Sequence, residues 1–145
     1  MDDKPSPSPP APDARRPADK PDGGPSIDPL LLTSTQVSTF LGGTLLTRAS
    51  GFFFERADRL FLVTSRHVLF DQPSGHAPDR VEVNVHASAA DLASVVSVSL
   101  PLYRSGQSVW SQATDGGGEV DVAAIEIERR VLPASAALQP FTPEH

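Results

Sequence analysis

Cysteine is absent from this sequence of 145 residues. Disulfide bonds, thiol nucleophiles and cysteine-ligated metals are therefore excluded, and the absence is typical of proteins from a reducing compartment. The chain also lacks any apolar run long enough for the core of a signal peptide or for a membrane span. Together these absences predict a cytoplasmic protein that has no membrane partner.

An excess of basic charge is also missing, since the formal net charge is −6. The first 27 residues carry four basic and five acidic side chains, so −5 of that charge belongs to residues 28–145. Without a basic stripe to meet phosphate groups, nucleic-acid binding is not expected. The four histidines are not spaced as a helical metal pair, and the glycine run at 116–118 has no Lys-Ser/Thr after it. We therefore predict no metal site, no phosphate loop and no cofactor.

Proline is abundant, and it is concentrated at the start of the chain. Residues 1–27 contain eight prolines, charges of both signs and almost nothing apolar. Such a segment buries too little apolar surface to offset the entropy of ordering, and proline removes the donors that helices and sheets use. We predict a disordered, Pro-rich leader over 1–27.

From Leu30 onward the sequence consists of short apolar stretches separated by Gly, Pro, Asp and Ser, which is typical of an all-β domain. The predicted strands are Gln36–Leu41, Leu45–Glu55, Arg59–Thr64, Arg80–His86, Val95–Leu100 and Val120–Glu128. The segment between the fifth and sixth strands is predicted to be a loop. Six strands in about a hundred residues can close into a small antiparallel barrel, which removes exposed sheet edges. We therefore predict a six-stranded antiparallel β-barrel over 28–131, followed by a connecting segment over 132–145.

Two polar residues stand directly beside apolar strands. His67 follows the apolar run Leu60–Val63, and Asp121 begins the apolar face that Ala123, Ile125 and Ile127 share on the sixth strand. An ionised carboxylate in such a place needs a charged or hydrogen-bonding partner. A His–Asp pair is such an arrangement, because the carboxylate fixes the imidazole tautomer while the other ring nitrogen acts as a base.

Simpler interpretations compete with this one. A lone histidine near a strand end is usually structural, and aspartate often begins a strand after glycine. Asp71 is a second candidate acid, but it follows His67 too closely to reach the ring from across a barrel, which favours a loop or capping role. Arg66 is expected to be solvated, and His86 is expected on the wet face of the fourth strand.

The motifs Leu-Val-Thr-Ser-Arg-His-Val-Leu around His67 and Glu-Val-Asp-Val-Ala-Ala-Ile around Asp121 resemble the His and Asp motifs of bacterial trypsin-like serine peptidases. The preceding Ser50-Gly51-Phe52 is similar to the strand that comes before the His hairpin in that family. The resemblance covers roughly Thr35 to Glu128 and implies the first barrel of a chymotrypsin-like double barrel. It further implies that His67 is the general base and that Asp121 orients it.

The sequence departs from that family in one serious respect. The Gly-x-Ser-Gly nucleophile motif does not occur, and Ser26 and Ser108, which follow glycines, both precede Asp121. In the family, a second barrel supplies the serine, the oxyanion hole and the specificity pocket. Residues 132–145 are therefore expected to be an inter-barrel linker in a truncated chain.

These observations predict the amino-terminal part of a serine endopeptidase that acts on a peptide or protein substrate only when a second barrel completes it. The isolated chain is expected to be inactive, since it contains no nucleophile. The alternative is a non-catalytic β-barrel that binds a partner. A first barrel that lacks its partner should expose the apolar face that would have packed against it, so self-association through this inter-barrel face is expected.

Overall fold

A computed structural model describes Pro5 and residues 30–144. The predicted leader over 1–27 lies outside the described residues, apart from Pro5, which has no regular secondary structure. The elements in chain order are α1 (Leu30–Thr33), β1 (Ser34–Leu41), β2 (Thr44–Arg56), β3 (Arg59–Thr64), α2 (Arg66–Leu69), β4 (Arg80–His86), β5 (Val95–Pro101), β6 (Tyr103–Arg104), β7 (Gln107–Ser108), β8 (Trp110–Asp115) and β9 (Gly118–Ile127), followed by a 3₁₀ turn at Arg129–Val131. None of the helices in the described part of the chain has the length and apolar character needed to cross a membrane.

The chain is mostly antiparallel β-structure, as the sequence predicted, but the predicted number of strands is wrong. The six predicted segments are all strands, and β3 and β4 have the predicted bounds. There are nine strands within residues 30–144, because β6, β7 and β8 lie in the segment that was predicted to be a loop. Most residues of β8 are exposed, so the strand has no regular apolar alternation in the sequence. Backbone pairing with β9 holds it in the sheet.

Seven of the strands form one sheet in the order β5-β4-β1-β2-β3-β9-β8, and β6 and β7 form a separate hairpin. The buried apolar side chains make a single cluster, so the sheet curves around one core. The β6–β7 hairpin joins the end of β5 to the start of β8, and at its base the N–H of Val109 donates to the carbonyl of Leu102 at 2.9 Å.

The predicted closure of the barrel is not found within residues 30–144, because no ladder joins β5 to β8 or β9. A depression of about 330 Å³ lies between the ends of β5 and β9, lined among others by Leu100 and Ile125. On β8, the buried side-chain nitrogens of Trp110 and Gln112 have no hydrogen-bond partner among the described residues, which is unfavourable for the folded state.

Alternation along the strands places the core on one face of the sheet. In β4, Val81, Val83 and Val85 are buried while the residues between them are partly or fully exposed, so the predicted alternation is confirmed. Two helical residues, Val68 and Leu69 of α2, enter the same core. The short helix is therefore anchored by its apolar side.

The segment after the 3₁₀ turn, which was predicted to be a connector, is fixed along the sheet by backbone hydrogen bonds. Ala137 donates to the carbonyl of His86 at 2.9 Å, and Gln139 donates to the carbonyl of Leu32 at 3.0 Å. Phe141 forms a parallel bridge with Phe54, and its ring meets that of Phe52 edge-to-face at 5.5 Å. These contacts tie the C-terminal segment to α1, β4 and β2.

Gly51 lies where β1, β2 and β3 meet, and there is no room for a side chain at this position. A Cβ atom there would lie 2.9 Å from a methyl group of Val37 and 2.9 Å from the carbonyl oxygen of Val63. The carbonyl belongs to the β2–β3 ladder, so it cannot move away without breaking that pairing. We expect Gly51→Ala to lower the free energy of unfolding by roughly 1–3 kcal/mol, measured by chemical denaturation.

Gly43→Ala is the matched control for this substitution. A Cβ at Gly43 would meet nothing within 4 Å, so the free energy of unfolding should change by no more than about 0.5 kcal/mol. Equal effects of the two substitutions would contradict the close approach of the three strands at Gly51.

Candidate active site

His67 is carried by the short helix α2, directly after β3. The strand ends at Thr64, whose hydroxyl donates to the carbonyl of Ser50 at 2.8 Å, and Ser65 is the extended residue before the helix. Because Val68 and Leu69 point into the core, His67 is left on the outer side of the helix turn. The local sequence therefore presents the imidazole at the surface while its helix stays anchored.

Asp121 reaches the same place from β9. The β3–β9 ladder ends with Thr64 opposite Ala123, so Asp121 lies two residues beyond the last pair. There the chain after β3 has already turned into α2, and the carboxylate faces the first turn of that helix. The predicted face of β9 is confirmed, since Ala123, Ile125 and Ile127 are buried and Glu126 and Glu128 are exposed.

The structure brings His67 and Asp121 together through two hydrogen bonds. The backbone N–H of His67 donates to Oδ1 of Asp121 at 2.9 Å, and Nδ1 of the ring lies 2.6 Å from Oδ2. The two side chains keep 57% and 52% of their surface exposed, so the pair is open to solvent. One carboxylate thus fixes both the main chain and the ring of the same histidine.

This geometry determines which ring nitrogen can act as a base. An ionised carboxylate only accepts hydrogen bonds, so Nδ1 of His67 carries the hydrogen. In the neutral imidazole, Nε2 then holds the lone pair and can take a proton from a nucleophile, while the carboxylate stabilises the imidazolium that forms. The pair therefore consists of a general base and the carboxylate that orients it.

The same contacts act on the acid. The side-chain hydrogen bond from His67 and then its backbone N–H hold the pKa of Asp121 below the ordinary value, with smaller help from the charges of His67 and Arg66, against a partial desolvation that raises the pKa. The carboxylate therefore stays ionised over a wider pH range than a free aspartate.

The base has no nucleophile within the described part of the chain. No serine or threonine hydroxyl among residues 30–144 is hydrogen-bonded to Nε2 of His67. The ring instead borders a depression of about 580 Å³ that Thr47, Arg48, Asp71 and His76 also line. Acyl transfer would need a hydroxyl brought to this depression from elsewhere.

Asp71, the competing acid, does not contact the ring of His67. It pairs through its backbone with His76 at both ends of a tight loop. Arg66 was expected to be solvated, and its guanidinium donates to the carbonyl of Phe70 at 3.3 Å. The contacts therefore select Asp121 as the partner of His67.

Two other histidines have contacts that the sequence analysis did not predict. His86 lies on the outer face of β4 as predicted, but it is half-buried, with Nδ1 2.9 Å from the carbonyl of Leu92 and Nε2 3.1 Å from that of Leu31. Nε2 of His76 lies 2.8 Å from the carbonyl of Val68 in α2. No local pattern signals these bonds, since the partners lie on loops and short helices whose course periodicity does not reveal.

Residues 30–144 bring together no group of three or more His, Asp or Glu side chains that could hold a metal ion. His67 and Asp121 form a pair, and both are engaged in the hydrogen bonds between them.

No protein-family model matches this chain, and neither the curated proteins nor the solved structures contain a match to it.

The lowered pKa of Asp121 makes a prediction about stability and pH. A carboxylate whose pKa is lower in the folded than in the unfolded chain stabilises the fold above the unfolded pKa, and this contribution is lost as pH falls through the folded pKa. We expect Asp121→Asn to be less stable than the natural protein at neutral pH. The difference should shrink as pH falls below about 4. Chemical denaturation at several pH values between neutral and acidic measures it.

Asp71→Asn is the control for this experiment, because Asp71 belongs to the neighbouring loop and does not touch His67. Its stability relative to the natural protein should stay nearly constant across the same pH range. A destabilisation by Asp121→Asn that is as large in acid as at neutral pH would contradict the assigned role of the carboxylate.

Proposed function

We propose that this chain is the amino-terminal part of a trypsin-like serine endopeptidase, with His67 as the general base and Asp121 as the acid that orients it. The proposed reaction is peptide-bond hydrolysis through an acyl-enzyme. The nucleophilic serine, the oxyanion hole and the specificity pocket would come from a second barrel that this sequence does not contain. The substrate would be a peptide or protein bound between the two barrels.

The double contact between His67 and Asp121 is the observation that carries this proposal. Here one carboxylate holds both the ring of His67, at 2.6 Å, and its main chain, at 2.9 Å. The contact leaves Nε2 directed to a nucleophile that is still to be supplied, as a general base requires. The motifs around both residues are those on which the family resemblance rests.

The strand order is a second support. The six strands predicted from the sequence are neighbours in the order β5-β4-β1-β2-β3-β9. Because β8 occupies the other edge of β9, closing the sheet would require one further ladder between β5 and β8, whose neighbouring ends the β6–β7 hairpin joins. We propose that the domain is a barrel of the chymotrypsin type whose last seam is incomplete.

An apolar surface beside Asp121 suits packing against a second barrel. It consists of Phe52, Phe54, Val63, Val122 and Phe141, which line two adjoining depressions on the outer face of β2, β3 and β9. We call it the outer apolar face. A surface of this kind next to a half-exposed carboxylate would exclude water from the pair when covered, which strengthens its electrostatic interactions.

The proposal is tested by the coding sequence that follows the codon for His145. We expect a Gly-x-Ser-Gly motif, in frame or after a frameshift, roughly fifty to eighty codons downstream. The completed protein should react with a fluorophosphonate probe at a single serine, whereas the chain of 145 residues should not react. Intact-mass spectrometry measures the labelling of the completed protein and of the shorter chain.

Substitutions in the completed protein then test the two roles. Asp121→Asn should lower turnover roughly ten-thousand-fold, because the ring would adopt the wrong tautomer. His67→Ala should lower it by about a million-fold. Asp71→Asn should leave turnover nearly unchanged. Stoichiometric labelling of the short chain, or labelling of the long one that persists in His67→Ala, would refute the proposal and favour the alternative of a binding module.

Self-association of the isolated chain follows from the outer apolar face. Val122 lies on this face with 39% of its surface exposed. We expect the chain to form oligomers at high concentration and to bind a hydrophobic dye, because apolar surface left exposed to water favours association. Val122→Glu should weaken both effects, as measured by sedimentation velocity and dye fluorescence.

Val96→Glu is the matched control, because Val96 is 37% exposed but lies on the edge strand β5. It should leave association unchanged. If the protein stays monomeric at every concentration, no exposed surface causes association. If only Val96→Glu prevents association, a surface other than the outer apolar face is responsible.

A further inference from the structure

We propose that His76 is a positioning residue for His67: its ring holds the carboxyl end of α2 and so keeps the imidazole of His67 against Asp121. The inference deepens the proposed function and rests on it for the role of His67 as a general base. The positioning contact itself belongs to this chain and can be measured without any peptidase activity.

The helix that carries His67 is too short to be stable alone. It has four residues, and two backbone hydrogen bonds close its turn, from the N–H of Phe70 to the carbonyl of Arg66 and from the N–H of Val68 to the carbonyl of Ser65, both at 3.1 Å. Isolated helices of this length do not form in water, because the first turn costs more entropy than its bond returns. The orientation of α2 must therefore come from the burial of Val68 and Leu69 in the core and from contacts at its two ends.

The amino end of α2 is fixed by the sheet, and the carboxyl end by His76. At the amino end, Thr64 is paired with Gly51 in the β2–β3 ladder. At the carboxyl end, the carbonyl of Val68 has no helical partner, and the ring nitrogen Nε2 of His76 lies 2.8 Å from it. Val68 keeps only 8% of its surface exposed, so loss of that bond would leave its carbonyl with poor access to water.

His76 can hold this carbonyl because its own loop is rigid. The loop closes through two backbone hydrogen bonds, from Asp71 N–H to the carbonyl of His76 at 2.8 Å and from His76 N–H to the carbonyl of Asp71 at 3.0 Å. Gly75, at φ +72°, makes the left-handed turn and donates to the carbonyl of Gln72 at 3.0 Å. The ring is thus placed by contacts that are independent of α2.

The two histidines must have opposite tautomers. A carbonyl oxygen only accepts, so His76 carries its hydrogen on Nε2, whereas His67 carries its hydrogen on Nδ1 to meet Asp121. Nitrogen-15 NMR of the imidazole rings distinguishes these forms. In the natural protein at slightly alkaline pH, we expect the Nδ1–H tautomer at His67 and the Nε2–H tautomer at His76.

Three variants test whether His76 positions His67. His76→Leu removes the donor, and the backbone N–H of His67 should then exchange with solvent about fivefold faster, the effect of losing one net hydrogen bond. The nitrogen-15 pattern of His67 should move towards the mixture of tautomers found in a free imidazole. His76→Gln, whose side-chain amide can donate, should restore both towards the natural values. Ser74→Ala removes a loop hydroxyl that donates to the carbonyl of Asp71, and it should change neither.

The proposal is overturned if folded His76→Leu leaves the tautomer and exchange of His67 unchanged, or if His76→Gln behaves like His76→Leu. It is also overturned if His76 of the natural protein carries its hydrogen on Nδ1, a result that needs no variant and so decides the matter if His76→Leu fails to fold. None of these measurements depends on a downstream serine. The absence of that serine would refute the proposed function and leave this inference standing.

Discussion

The register between β3 and β9 is the constraint on which the candidate site depends. Five residue pairs, from Leu60 opposite Ile127 to Thr64 opposite Ala123, fix it. A slip of one residue would turn the buried side chains of β9 towards water and bring Val122 or Val120 to the position of Asp121. The burial of the core therefore also enforces the meeting of acid and imidazole, although neither of these residues belongs to the core.

The contact between His67 and Asp121 in turn contributes more to orientation than to the stability of the fold. Both side chains are about half exposed, and exposed ion pairs stabilise proteins only slightly because water screens them. The Arg59–Glu126 pair, which joins β3 and β9, is a useful comparison. It has similar exposure and two side-chain hydrogen bonds, but it holds no main-chain group. Of these two carboxylates, that of Asp121 also accepts a hydrogen bond from a backbone N–H, and this bond fixes the helix that carries His67.

Sequence periodicity predicted those parts of the fold that apolar burial determines. The strands with regular alternation, such as Arg80–His86, have the predicted bounds, and the acid at Asp121 was found because it interrupts an apolar face. The strand Trp110–Asp115 was missed because most of its residues are exposed and backbone pairing holds it at a sheet edge, with Trp110 packed against the core. Closure was predicted from strand number, but it depends on whether two edges meet, which no local pattern encodes. The role of His76 depends on a loop conformation and a helix end, and it was missed for the same reason.

The surroundings of the His–Asp pair differ on its two sides, and the difference bears on how the proposed enzyme would work. Polar residues such as Thr47, Arg48 and Ser74 surround the depression beside His67, whereas Phe52, Val63 and Val122 lie beside Asp121. A partner domain on the apolar side would cover the carboxylate and remove water from it. Burying a charge in this way is unfavourable unless its hydrogen bonds are already in place. The backbone and ring donors of His67 supply two such bonds before any partner arrives, so Asp121 could remain ionised when covered. The imidazole would meanwhile stay open, on its polar side, to a substrate.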